Sequence, residues 1–230
     1  MTNPKHMTGI IFDMDGTLTD SHDAHYESWK STMDTHDIEY GPADFIRDFG
    51  RRNPEIIAEN WARAGRTMPD AAHSETIASE KEAAFRAIII EDFPAMEGAR
   101  DMMKRLHDTG LRLAIGSSAP RENIELCNRQ LGIEEFLDAI VCGCDVQNGK
   151  PEPDGFLLAA ERLGCAPEHC IVVEDAAAGI EAAHRAGMPA IGIVSTGHEA
   201  KELAAAERVI HQLKELTPEL LSGLVRQHRQ

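Results

Sequence analysis

At 230 residues the chain can bury one sizeable core, or one core with a smaller inserted unit. Its 39 acidic against 23 basic residues leave a formal net charge of −16, which argues against a nucleic-acid or membrane-surface role. No apolar stretch approaches the roughly 20 residues of a membrane span and the N-terminus lacks a signal-peptide layout, so a cytoplasmic protein is expected, with monomer as the default.

In chain order, the apolar run at residues 8–12 reads as a buried strand. Asp13-Met14-Asp15-Gly16-Thr17 follows it. If the run stays extended, Asp13 and Asp15 point the same way, and their mutual repulsion must be relieved by a cation or a proton. From residue 22 to about 90 three stretches carry apolar residues at helical spacing, with no convincing strand among them. Beyond Phe93-Pro94 helices and strands alternate: strands at 111–115, 139–142, 170–173, 190–194 and a weak one at 208–210, helices at about 97–108, 121–131, 154–163 and 176–186. This pattern predicts an α/β fold: a mostly parallel sheet flanked by helices in a core of residues 1–20 and 91–230, plus an inserted helical cap at 21–90. A block inserted after the first strand is expected above the carboxyl ends of the sheet.

The five cysteines are Cys127, Cys142, Cys144, Cys165 and Cys170. Their odd number fits reduced thiols. Cys142-Gly143-Cys144 has a one-residue spacer, unlike the CxxC of redox or zinc sites, and reads as small buried residues near strand ends.

Four groups fall at predicted carboxyl ends of strands: Asp13 with Asp15, Ser117-Ser118, Lys150 between Gly149 and Pro151, and Glu174-Asp175. Each alone has an ordinary structural use, as a turn cap, a helix N-cap, a solvated loop lysine or an acidic helix start. Their convergence on one edge is what points to chemistry. A carboxylate nucleophile beside a carboxylate acid/base, a hydroxyl donor, a lysine and hard oxygen ligands make a phosphoryl-transfer site with a divalent cation.

These motifs resemble the haloacid dehalogenase-like (HAD) superfamily, in particular its branch of β-phosphoglucomutase and small-metabolite phosphatases. The resemblance covers nearly the whole chain and implies a Rossmann-like core with a helical cap inserted after the first motif. It implies that Asp13 attacks phosphorus to form an aspartyl-phosphate, that Asp15 protonates the leaving group and then activates the second nucleophile, and that Ser117 and Lys150 assist. Mg²⁺ would be held by Asp13, the Asp15 main-chain carbonyl and Asp175, with Glu174 nearby. Dehalogenase relatives lack the second aspartate and phosphonate-cleaving relatives carry a smaller residue there, so Asp15 favours phosphate esters.

In the cap, His25 resembles the hinge-side histidine of β-phosphoglucomutases, and Phe49-Gly50-Arg51-Arg52-Asn53-Pro54 resembles the substrate-specificity loop. The mutase arginine falls three residues after the glycine; here Asn53 stands there and Arg52 is one earlier. Ser79-Glu80-Lys81-Glu82 resembles the segment that offers a lysine to substrate. The implied substrate-binding residues are thus His25, Gly50, Arg52, Asn53, Lys81 and Ser118. His25, Arg52, Lys81 and Lys150 would supply the local positive pocket that an anionic substrate needs against the overall charge. The expected function is a Mg²⁺-dependent phosphatase of a small phosphorylated metabolite such as a sugar phosphate. The alternative is a β-phosphoglucomutase-type mutase using the same core residues. A receiver-like signalling module shares the acids, hydroxyl and lysine, but is about half this length and has no cap.

Overall fold

The computed structural model describes residues 8–49 and 51–228. The strands are β1 (Gly9–Phe12), β2 (Arg112–Gly116), β3 (Ala139–Val141), β4 (Cys170–Glu174), β5 (Ala190–Ile193) and β6 (Arg208–Ile210). They form one parallel sheet in the order β3-β2-β1-β4-β5-β6. The helices are α1 (His22–Thr35), α2 (Pro42–Asp48), α3 (Asn53–Arg63), α4 (Ala71–Glu91), α5 (Ala99–Asp108), α6 (Arg121–Leu131), α7 (Asp154–Leu163), α8 (Ala177–Arg185) and α9 (Pro218–His228). This is the expected Rossmann-like α/β architecture; α2 and α9 are the helices that the apolar pattern did not announce.

β1 and β4 are buried along their whole length, as strands covered by helices on both faces must be. Ile11 pairs in register with Ala114 on one side and Val172 on the other. These three share a core cluster with Phe156 of α7 and Ile180 of α8. Strand alternation sends Ile10, Leu113 and Ile171 to the opposite face, where α5 packs on β2 and α9 on β4. Phe12 lies level with Ile115 and Val173, so the residues that follow β1, β2 and β4 emerge at one edge. The chain leaves β1 for β2 and β3, then returns across to β4. β1 and β4 therefore flank the point where the winding reverses, the place in such sheets where ligands bind.

The chain divides into two compact units, one running to Asp20 and resuming at Ala95, the other spanning Ser21–Pro94. Re-entry comes a few residues later than the apolar pattern suggested, because α4 continues to Glu91. Within the first unit the two crossings are tied together: Thr19 forms an antiparallel bridge with Ala95, and the Met96 amide donates to the Leu18 carbonyl at 3.0 Å.

The second unit is helical, with its own core of Trp29, Met33, Tyr40, Phe45, Ile57, Trp61 and Ile77. Trp29/Met33 and Ile57/Trp61 are i,i+4 pairs on the inner faces of α1 and α3. At the end of α2, Asp48 is fully buried and accepts from Arg47 (2.9 Å to each oxygen) and from Asn60 (2.7 Å). A buried carboxylate is tolerated only with such partners, and removing it strands them. Asp48→Ala is therefore expected to lower unfolding free energy by about 3 kcal/mol in urea titrations. A loss below about 0.5 kcal/mol, the range of ordinary surface substitutions, would show that the network carries no stability.

The cysteines depart from the sequence reading. Cys127, Cys165 and Cys170 are free and buried, but Cys142 and Cys144 are joined in a disulfide, their Cα atoms 5.3 Å apart. A short 3₁₀ turn at Gly143–Asp145 reverses the chain immediately after β3 and makes the one-residue spacer sufficient. Cys144 is exposed rather than buried.

Candidate active site

Asp13 continues the β1 ladder by one residue, its amide donating to the Val173 carbonyl at 3.0 Å. The chain then closes a tight loop on Met14, whose carbonyl accepts from the amides of Leu18 (2.9 Å) and Thr19 (3.0 Å). Gly16 permits this turn. Its φ is +76°, and a Cβ there would lie 1.8 Å from Asp175 Oδ2. The loop that carries Asp15 is thereby seated against the Asp175 carboxylate. Asp15 itself is half-buried.

Lys150, delivered by the loop after β3, places Nζ 2.5 Å from Asp13 Oδ1 and 2.5 Å from Glu174 Oε1. The other Glu174 oxygen accepts the Ala176 amide at 2.8 Å, so Glu174 divides its carboxylate between the lysine and the start of α8. Asp175 accepts from Ser195 Oγ at 2.8 Å. Asp13, Glu174 and Asp175 are all buried, and among the described residues Lys150 is the cation that contacts the first two. The charge balance is visible in the acidities. Burial, opposed by Lys150 and reinforced by Glu174 and Asp15, pushes the Asp13 carboxyl up to about 7. Burial and the neighbouring Glu174 and Asp13 likewise push Asp175 well above the carboxylate range. Lys150 is itself opposed by burial, but its two carboxylate partners outweigh that and raise it. More buried acid than base, all with hard oxygen donors, is an environment a divalent cation fits.

Ser117 continues β2 by donating its amide to the Val141 carbonyl at 3.1 Å. Its hydroxyl accepts the Ala119 amide at 3.1 Å; it does not cap α6, which starts after Pro120. Ser118 is exposed.

The remaining candidates lie in the second unit. Lys81 is not a solvated helix lysine: it is 2% exposed, with Nζ 2.9 Å from His25 Nδ1 and 3.0 Å from Glu82 Oε1, over the rings of Trp29 and Phe85. His25 stacks on Phe85 at 4.2 Å. Asn53 donates to the same Glu82 oxygen at 2.8 Å. His25, Lys81 and Asn53 are thus one connected cluster through Glu82, a residue the sequence reading passed over. Arg51 pairs with Asp48 and Glu55, whereas Arg52 is exposed just before α3. Gly50 lies outside the described residues. Ser195 was also missed, although Ile193-Val194-Ser195-Thr196 repeats the hydroxyl-ended strand that drew attention to Ser117-Ser118.

A model of the family described as haloacid dehalogenase-like hydrolase matches residues 7–187. The chain belongs to this family. The HAD chain is 34% identical over 210 residues to the validoxylamine A 7'-phosphate phosphatase of Streptomyces hygroscopicus subsp. limoneus, covering 90% of this chain and 94% of that one. It is 30% identical over 231 residues to the β-phosphoglucomutase of Bacillus subtilis (strain 168), covering 97% of each. Other relatives are named as a fructose-1-phosphate phosphatase, a phosphorylated carbohydrates phosphatase and a hexitol phosphatase. The crystal structure of a β-phosphoglucomutase from Clostridium difficile superposes with a TM-score of 0.84 over 97% of this chain and 99% of that one; at 23% identity the likeness is one of fold. No helix among the described residues is long and apolar enough to cross a membrane.

Proposed function

We propose that this HAD hydrolase is a Mg²⁺-dependent phosphatase of a small phosphorylated metabolite, a sugar phosphate, acting through an aspartyl-phosphate on Asp13. The observation that carries the proposal is the Lys150 ammonium held 2.5 Å from Asp13 on a strand end it shares with Glu174 and Asp175. A buried carboxylate kept beside a fixed cation can attack an electron-poor phosphorus without also meeting the full repulsion of a dianionic ester. Asp13, the Asp15 main-chain carbonyl and Asp175 would hold Mg²⁺, which would neutralise charge on the phosphoryl oxygens; Glu174, committed to Lys150 and Ala176, supports the set from behind.

Asp13 attacks phosphorus as the bond to the ester oxygen breaks, and Asp15 gives that oxygen its proton. Asp15, now ionised, takes a proton from water as the water attacks phosphorus, and phosphate leaves with Asp13 restored. Ser117 donates to a phosphoryl oxygen and Lys150 compensates the charge that develops on it. His25, Gly50, Arg52, Asn53, Lys81 and Ser118 are proposed to bind substrate, with Ser21–Pro94 as the cap domain. Named phosphatase relatives and the presence of Asp15 support hydrolysis of phosphate esters.

The length-wide similarity to a β-phosphoglucomutase keeps a second reading, transfer of the phosphoryl group to a sugar hydroxyl. Phosphorus NMR separates the two. With β-glucose 1-phosphate, a trace of its bisphosphate and Mg²⁺, hydrolysis is expected to yield inorganic phosphate. Accumulation of glucose 6-phosphate instead would overturn the phosphatase reading in favour of the mutase.

A further inference from the structure

The Cys142–Cys144 disulfide has features that a stabilising crosslink lacks. It closes a loop with a single intervening residue, and the stabilisation a disulfide draws from the unfolded chain is smallest for the shortest loops. Its two residues are unlike: Cys142 is fully buried at the end of β3, while Cys144 is exposed. The exposed residue gives an external thiolate its side of approach, and exposed disulfides are the labile ones.

A place is also prepared for the reduced state. Cys142 Sγ lies 3.4 Å from Asp145 Oδ2, so a thiol there has an acceptor in reach, and the Cys142 amide donates to the same oxygen at 3.0 Å. Arg121 (2.8 Å) and Arg162 (3.0 Å) hold that carboxylate in position. The Arg162 hydrogen bond, then the Cys142 amide, with the charges of both arginines, lower the Asp145 carboxyl to about 2.

The location connects this pair to the chemistry. Gly143 presses on the turn after β2: a Cβ there would fall 2.3 Å from the Ser118 carbonyl oxygen, and its amide donates to the Ala119 carbonyl at 3.0 Å. That turn positions Ser117. On the other side, the segment from Asp145 to Gly149 leads directly to Lys150. The bonded Cys-Gly-Cys segment therefore stands between the turn of Ser117 and the loop of Lys150, in contact with the first and continuous with the second.

We propose that Cys142 and Cys144 are a reversible dithiol/disulfide site, exchanging with dithiol reductants, whose oxidised form orders the loop that carries Lys150. In the exchange a thiolate of the dithiol attacks Cys144 Sγ, the S–S bond breaks, and the electron pair leaves with Cys142, which takes up a proton and turns to Asp145. The second thiol of the reductant then attacks the mixed disulfide and releases Cys144. Overall two electrons and two protons pass from the dithiol to the pair, and the reductant leaves as a disulfide. Reduction frees the exposed end of the turn, loosens Gly143 from Ser118, and lets the Lys150 loop move.

The test uses the full chain with dithiothreitol as the reductant, a maleimide mass tag, and p-nitrophenyl phosphate with Mg²⁺ as the activity probe. Before reduction the peptide containing residues 142–144 is expected to be untagged; afterwards it takes two tags once unfolded. Amide hydrogen exchange over residues 142–150 is expected to speed up on reduction. Turnover should fall by up to about 100-fold, the scale of a group misplaced by about 1 Å, and return on reoxidation with a small-molecule disulfide. Cys144→Ser should show the reduced behaviour under both conditions. Two tags without reductant, or unchanged exchange and turnover on reduction, would overturn the proposal, as would a Cys144→Ser variant that still responds. Tagging and exchange are readable in Asp13→Asn as well, so a failure of the phosphatase reading leaves this test intact.

Discussion

Replacing Asp13 with Asn is expected to lower kcat by about 10⁴-fold or more while the protein remains folded. The amide keeps the size of the carboxyl but is not a nucleophile, so no covalent phosphoryl intermediate forms. Folding is not at risk, because the change removes one acid from a region where buried carboxylates outnumber the lysine that faces them. The carbonyl oxygen of the introduced amide can still accept from Lys150, which also keeps its contact with Glu174 (2.5 Å). The measurement is steady-state hydrolysis of p-nitrophenyl phosphate with Mg²⁺, alongside thermal unfolding and acid-quench trapping of phosphoprotein. Wild type should trap phosphate on Asp13 and the variant should not. Turnover within about tenfold of wild type, with the fold intact, would remove the nucleophile from Asp13 and with it the proposed mechanism.

How much of this was legible in the sequence follows from which forces act locally. The strands were readable because parallel strands buried on both faces must be continuous apolar runs, and Ile10-Ile11-Phe12 and Cys170–Val173 are such runs. The strand-end positions of Asp13, Ser117, Lys150 and Glu174-Asp175 came with them, since parallel topology delivers every carboxyl end to one edge. The approach of Lys150 to Asp13 spans 137 positions and depends on the path of a loop, which no local pattern encodes. The burial of Lys81 was unreadable for a related reason. A lysine among the Ser-Glu-Lys-Glu residues of α4 looks solvated until His25 and Trp29 of α1 are placed against it. The disulfide was missed because a one-residue spacer cannot be bridged in an extended chain; it became possible only with the turn at Gly143–Asp145. Asp48 shows the limit from the other side. Nothing in Phe45-Ile46-Arg47-Asp48 marks an acid destined for full burial, since its partner Asn60 arrives from another helix.

Replacing Lys150 with Ala is expected to cost about 10²–10³-fold in kcat at neutral pH, and its pH dependence identifies the cause. In the wild-type protein burial raises the Asp13 carboxyl to about 7 even with Lys150 opposing the shift, so removing the lysine must raise it further. A protonated Asp13 cannot attack. The acid limb of kcat/KM should therefore move to higher pH in the variant, and part of the lost activity should return as pH rises. Saturating Mg²⁺, a counter-charge on the same carboxylate, should pull the limb back down in both proteins. Stability follows the same sign. A carboxyl whose folded-state pKa lies above its unfolded value binds more protons when folded; its contribution is fully present below the unfolded pKa and is lost as pH rises through the folded one. Asp13 and Asp175 are both of this kind, so the metal-free wild type should lose stability between about pH 4 and 7. The Lys150→Ala variant should keep losing it at higher pH, having no ammonium to hold Asp13 ionised. Since Mg²⁺ binds the ionised carboxylates, its gain in melting temperature should be larger at pH 8 than at pH 5. Thermal unfolding of both proteins across pH 4–9, with and without Mg²⁺, tests this directly. An acid limb that stays in place, with a stability profile parallel to that of wild type, would mean that Lys150 does not control the charge on Asp13. The lost activity would then reflect only misplacement of substrate.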